Sequence, residues 1–314
     1  MKAFNPDFSI TELCGLFGYT RFAWYRKKDR QNAKVNYDAA ILDTVRIIRK
    51  EQPKAGTVKL YRMLKPTFEA MGIKMGRHKL NGLIQTAGLG VKQRKRRYIR
   101  TTDSDHPFKK YPHLVREFEP DAPHQLWVVD ITFIPLTRGF CYLILLTDGY
   151  SRKIVGWHLS RTMLAEDCIM ALELALEGLP AEHQLIHHSD RGSQYASEAY
   201  TKVLKANNIR ISMTENSDPK ENAMAERVNG ILKVELLLGE VHRNFKAAYR
   251  ATRRAIHIYN YKRLHASCDY LTPATAHQRT GRLQKHWKNY RKEWAIQKRK
   301  EKRETDAQPD PPEC

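Results

Sequence analysis

Hydrophobic positions first change from helical to alternating spacing near residue 124, and the change separates two kinds of structure. Before it the spacing is helical. Thr11 to Lys27 reads as a short apolar-periodic helix, a turn at Gly18 and a second helix opened by Thr20. Three more helical patterns run from Ala39 to Ile48, from Thr57 to Leu64 and from Arg77 to Ala87, the last closed by Gly88. After residue 124, alternation predicts strands from Gln125 to Pro135, Phe140 to Leu146 and Ile154 to Leu159, with turns at Thr137-Arg138-Gly139 and Asp148-Gly149. Met163 to Leu179 is an amphipathic helix ended by Gly178-Leu179-Pro180. Gln184 to His188 is a strand, Ser197 to Asn207 a helix capped by Ser197, and Ile209 to Met213 a further strand. Long helices are predicted from Glu221 to Leu238 and from Asn244 to Lys262.

Three strands in meander order, followed by helix, strand, helix, strand and helix, predict an α/β core: a ribonuclease-H-like mixed five-stranded sheet flanked by helices. Small all-helical modules of helix-turn-helix type precede it. The expected divisions are a helix-turn-helix at 1–34, a second DNA-binding module of that type at 35–90, a basic linker at 91–122, the catalytic core with its C-terminal helix at 123–280, and a basic helical tail with a disordered end at 281–314.

Charge adds a partner to this outline. Lys and Arg number 55 against 34 Asp and Glu, a formal net charge of +21, which calls for a polyanion and points to nucleic acid. No apolar run approaches the roughly 20 residues of a membrane span, so no membrane partner is expected. The five scattered cysteines form no Cys-x-x-Cys pair, and the polar start lacks an apolar signal core, so a cytoplasmic, nucleoid-associated place is expected. Cationic candidates for DNA contact are Arg21 and Arg26 on the second helix, Arg77 and Lys79 at the start of the fourth pattern, and the acid-free run containing Arg94, Lys95, Arg96 and Arg97.

Three acids carry the candidate chemistry. Asp130 interrupts an apolar strand, Asp190 closes another, and Glu226 lies on a helix, with 35 residues between the last two. An acid inside an apolar strand is costly unless it is paired or metal-bound. Carboxylates are the donors that hard divalent cations take, and two such cations neutralise the charge that gathers when a phosphodiester is cleaved. Asp148 is explained by its Asp-Gly turn, and Asp167, Glu173 and Glu177 by the polar face of a helix.

With their flanking residues the three acids resemble a known family. Trp127-x-x-Asp130-Ile131-Thr132, Asp148-Gly-Tyr-Ser-Arg152-Lys-Ile-Val-Gly156-Trp157, His188-Ser189-Asp190-Arg191-Gly192-Ser193-Gln194-Tyr195, Asn222-Ala223-x-Ala225-Glu226 and Tyr259-Asn260-x-x-Arg263-x-His265 with Thr272-Pro273 are similar to the second-reading-frame transposases of the IS-three insertion sequences, relatives of retroviral integrases. The similarity spans about residues 45 to 277. Ser217, Glu221 and Cys268-Asp269 depart from the commoner Gly, Asp and Leu-Gly of that family.

The resemblance implies an Asp-Asp-Glu polynucleotidyl transferase in which Asp130, Asp190 and Glu226 ligate two Mg²⁺ or Mn²⁺ ions. Its DNA partners would be the element's terminal inverted repeats and the target duplex. It would act as a homo-oligomer on DNA, with the upstream-frame product of the same element as a further partner. Asn222 and Lys233, four residues before and seven after Glu226, are expected to meet the DNA end, as is Arg263. Two other readings share these features. A DNA-binding regulator without chemistry explains the charge but leaves Asp130 unexplained, and a structure-selective ribonuclease-H-like nuclease would use the same metals.

Overall fold

The computed structural model describes residues 7–91, 107–116, 118–215 and 222–286, and the chain falls into two compact units, residues 1–98 and 99–314. In the first, α1 (Ile10–Leu16) starts at a capping box in which Ser9 and Glu12 satisfy each other's backbone amides. Gly18, at φ +69°, turns the chain, and Thr20 caps α2 (Arg21–Glu51). The two helices expected on either side of residue 34 are one, so the expected boundary there falls inside α2. No Gly or Pro lies between Arg21 and Glu51, and the polar stretch from Lys27 to Lys34 is made mostly of good helix formers that carry the helix through. Ile41 and Val45 of α2 pack with Leu60, Leu64 and Phe68 of α3 (Thr57–Ala70) and with Leu80 and Ile84 of α4 (Arg77–Thr86). No residue of α2 before Ile41 is buried. The basic run at Arg94–Arg97 lies outside the described residues, as does the chain beyond residue 286, where the helical tail is expected.

The second unit is built on a five-stranded sheet in the order β3-β2-β1-β4-β5. β1 (Leu126–Pro135), β2 (Phe140–Asp148) and β3 (Ile154–Ser160) form the antiparallel meander; β4 (Ile186–Ser189) and β5 (Arg210–Met213) join it in parallel. This is the ribonuclease-H-like order the alternation predicts. One face, with Trp127, Val129, Ile144 and Leu146, packs under α5 (Ala165–Leu176) and α7 (Glu198–Ala206). Gly156 on β3 allows that contact, because a Cβ there would run into the Ala171 carbonyl. The opposite face, with Ile134, Leu143 and Leu145, packs against α8 (Ala223–Gly230), the turn after it, and α9 (Phe245–Tyr261).

The helix expected from Glu221 to Leu238 is shorter than predicted. After Gly230 it widens into a π-helical turn, Ile231–Glu235, closed by Leu236 N–H donating to the Ile231 carbonyl at 3.1 Å, and Leu237 at φ +62° ends it.

Candidate active site

The register of the sheet brings the first two acids together. β1 and β4 are parallel neighbours with Val128 beside His188. Two residues further in each chain come Asp130 and Asp190, and the two-residue pleat keeps Asp130 on the face of Val128. β4 ends at Ser189, so Asp190 sits where the shorter strand stops and β1 runs on. α8 crosses that face, packing Ala225 against Leu126, Val128 and Ile186, and exposes Glu226 in its first turn.

Asp130 records this convergence electrostatically. Burial, the neighbouring Asp190 charge and, more weakly, Glu226 push its pKa up to about 7, against hydrogen bonds that favour the carboxylate. Those bonds come from Ile131 N–H to Oδ1 at 3.0 Å and from Asn229 Nδ2 to Oδ2 at 2.7 Å. Asp190 is held by its own turn, its Oδ1 accepting from Gly192 N–H at 3.1 Å.

Asn229 is the residue that sequence reasoning missed. It lies three positions after Glu226, one helical turn further on, and that spacing was the available signal. Its amide group is buried, and among the described residues Oδ1 has no donor.

Lys233 sits in the π-helical turn and donates to Thr132 Oγ1 at 3.1 Å. Burial lowers its pKa, and the attraction of Asp130 opposes that shift. Two of the expected DNA contacts have other work. Asn222 is buried and donates from Nδ2 to the Val129 carbonyl at 3.0 Å, fastening the start of α8 to β1. Arg263, 2% exposed, forms a bidentate pair with Glu235 at 3.1 and 2.8 Å, which locks the π-helical turn to the end of α9. A side chain so enclosed does not reach a duplex. Arg21, Arg26, Arg77 and Lys79 are exposed on α2 and α4.

Asp148 also proves more than a turn former. It is fully buried, and accepts from His124 N–H at 2.9 Å and from the N–H and Oγ of Ser151, both at 2.7 Å. Burial alone would raise its pKa, but the hydrogen bonds of His277 and Ser151 outweigh burial and lower it. Ser151 Oγ lies 2.9 Å from His277 Nδ1, so this acid ties α10 (Pro273–Ala276) and the residues after it to the end of β2.

The donor set at Asp130 suits a hard divalent cation, being carboxylate throughout. The raised pKa of Asp130 fits as well, since a cation is what would relieve mutual repulsion among the acids. Among the described residues, no group of three or more His, Cys, Asp or Glu forms a ready-made ion cage, and of the two acids that act on Asp130, Glu226 acts more weakly than Asp190.

Comparison with known proteins finds integrase-core and transposase relatives. The Integrase core domain family matches residues 120–219, and a second Integrase core domain family matches residues 207–273. A "Putative transposase for insertion sequence element IS986/IS6110" of Mycobacterium tuberculosis is 35% identical over 215 residues, covering 66% of this chain and 77% of the relative. "Insertion element IS600 uncharacterized 31 kDa protein" of Shigella sonnei is 32% identical, over 83% of this chain and 96% of its own length. "Transposase InsF for insertion sequence IS3A" of Escherichia coli is 29% identical, over 85% and 89%. Among solved structures, the HTLV-2 integrase catalytic core domain in complex with magnesium aligns at 19% identity and a TM-score of 0.40, over 50% of this chain and 98% of that one. The simian T-cell lymphotropic virus intasome aligns at 17% and 0.45, over 71% and 75%. With an integrase core matched in two parts and relatives covered over most of their length, this chain belongs to the transposases of the IS-three insertion-sequence family.

Proposed function

We propose that the chain is a metal-dependent DNA strand transferase that binds the terminal inverted repeats of its element, cleaves there and joins the freed end to target DNA. Asp130, Asp190 and Glu226 would hold Mg²⁺ or Mn²⁺, two ions per site. When bound, such ions supply charge neutralisation at the scissile phosphate and at the attacking and leaving oxygens. One observation carries the reading: a strand-borne acid, buried beside a second acid and within electrostatic reach of a third, on the face that α8 crosses.

The chain's own groups have separable tasks. Asn229 and the Ile131 amide fix the two oxygens of Asp130 in direction, so that the carboxylate is presented rather than free to rotate. Asn222 and the Arg263–Glu235 pair hold the two ends of the segment that carries Glu226 and Lys233. Lys233, between Thr132 and Asp130, places a cation where phosphate oxygens would pass. Arg21, Arg26, Arg77, Lys79 and the run from Arg94 to Arg97 would bind duplex backbone, and the active form would be a homo-oligomer on DNA.

The test is strand cleavage and joining on oligonucleotides bearing the element's ends. Asp130→Asn, Asp190→Asn and Glu226→Gln should each lower both reactions by roughly three orders of magnitude or more while gel-shift affinity persists. A variant that still joins strands removes the assignment. Wild-type binding without Mg²⁺-dependent cleavage would indicate a regulator, and preferential cutting of RNA–DNA hybrids or four-way junctions a nuclease.

A further inference from the structure

The β1–β2 hairpin bears a surface that none of these tasks uses. The pairing sets Phe133 opposite Tyr142 and Pro135 opposite Phe140, and strand alternation places all three rings on one face. Ring centroids lie 5.5 Å apart for Phe133–Phe140, 5.8 Å for Phe133–Tyr142 and 5.5 Å for Phe140–Tyr142, at interplanar angles of 70°, 58° and 89°. Phe140 meets both other rings edge to face and Phe133 and Tyr142 are tilted, an arrangement that leaves ring faces open to a further aromatic group. The cluster under α5 includes Ile131 and Ile144 but none of these rings. Phe140 is 53% exposed, and Phe133 and Tyr142 are partly exposed. One cross-strand pair suffices to support a hairpin, and the third ring remains in water.

The surroundings narrow what would cover them. Residues 131–147 contain no Asp or Glu, and Arg138 is exposed at the hairpin turn. The Lys233 ammonium lies 3.1 Å from Thr132 Oγ1 and 6.0 Å from the Phe133 ring centroid, so one cation bridges the acid-bearing face of β1 and the aromatic face. Phe133 is three residues from Asp130, roughly 10 Å at ~3.3 Å per strand residue. Exposed rings beside Arg138 and Lys233 match a phosphate backbone that presents a base for stacking, and Asp167, which meets Ser160 opposite Tyr142, is itself held by Thr162 and the Leu164 amide.

We propose that Phe140, Tyr142 and Phe133 form a stacking platform for an unpaired nucleobase of the DNA strand held at the carboxylates, a few nucleotides from the reacting phosphate, where the strand passes Lys233 to the other face of β1. This rests on the function proposed above and adds where the strand goes. Stacking on a ring tolerates any base, so the platform positions the strand without reading its sequence.

The probe is a short single-stranded oligonucleotide carrying one 2-aminopurine, whose fluorescence is quenched when it stacks. The full chain should quench it on binding. Phe140→Ala should abolish most of that quenching and weaken binding roughly tenfold, whereas Phe140→Trp should retain both. Phe140 is half in water, so its removal leaves the core intact, and an unchanged melting temperature checks this. Quenching and affinity in Phe140→Ala equal to wild type would overturn the platform. Asp130→Asn should still quench, because stacking needs no chemistry. A wild-type protein that quenches through Phe140 but cleaves no DNA would therefore refute the proposed function and leave the platform standing.

Discussion

Asp130 gathers more opposing forces than any other side chain here, and the direction of its titration can be checked. Its folded pKa of about 7 lies above its ordinary 3.8, so the folded protein binds that proton more tightly than the unfolded chain does. The contribution to stability is full below pH 3.8 and is lost as pH rises to about 7. Without divalent ions, Asp130→Asn should therefore unfold at a higher temperature than wild type at pH 8, by at most about 4 kcal/mol, and the difference should vanish near pH 4. Thermal melts across that range decide it, and a constant offset at every pH would refute the cause. Asp130 was legible because a charge inside an apolar strand has no structural use, and Asp190 and Glu226 through the motifs that flank them. Arg263 was not, since its partner Glu235 lies 28 residues earlier and nothing local marks an arginine as enclosed. Asp269 was half legible. It stands where many relatives have Gly, and its φ of +51° is the left-handed conformation that Gly adopts freely and Asp tolerates.

The strands followed from alternation, because each buries at least one face, and the mixed sheet followed from the succession of strands and helices. Helix ends were harder to read. α2 runs on through a polar stretch that looked like a break, since good helix formers need no apolar stripe to continue a helix already anchored at its far end. The helix bearing Glu226 turns π-helical after Gly230, a change set by tertiary contacts and not by composition. The Arg263–Glu235 pair is the strongest of those contacts, its side chains 3% and 14% exposed. Arg263→Ala should cost about 3–5 kcal/mol in urea unfolding, because it removes the bidentate partner of a largely enclosed carboxylate, whereas replacing both partners by Met and Leu should be close to neutral. If the single and double variants cost the same, the pair does not act as a unit.

A net charge of +21 on the whole molecule makes its affinity for DNA a function of salt. Changing Arg77 and Lys79 together to Ala should weaken duplex binding about equally for all sequences, and should reduce the slope of log affinity against log salt by about 2 if each meets one phosphate. Fluorescence anisotropy at several salt concentrations gives that slope, and an unchanged one would remove α4 from the interface. The first 20 residues of α2, from Arg21 to the first buried side chain at Ile41, pack on no part of the three-helix core. At 1.5 Å per residue this stretch, against whose start α1 packs, is about 30 Å long, close to one repeat of B-form DNA. If α2 met a duplex along its length, two points of grip, one at each end of the stretch, would fall on the same side of the double helix, and their spacing would be set by the helix itself.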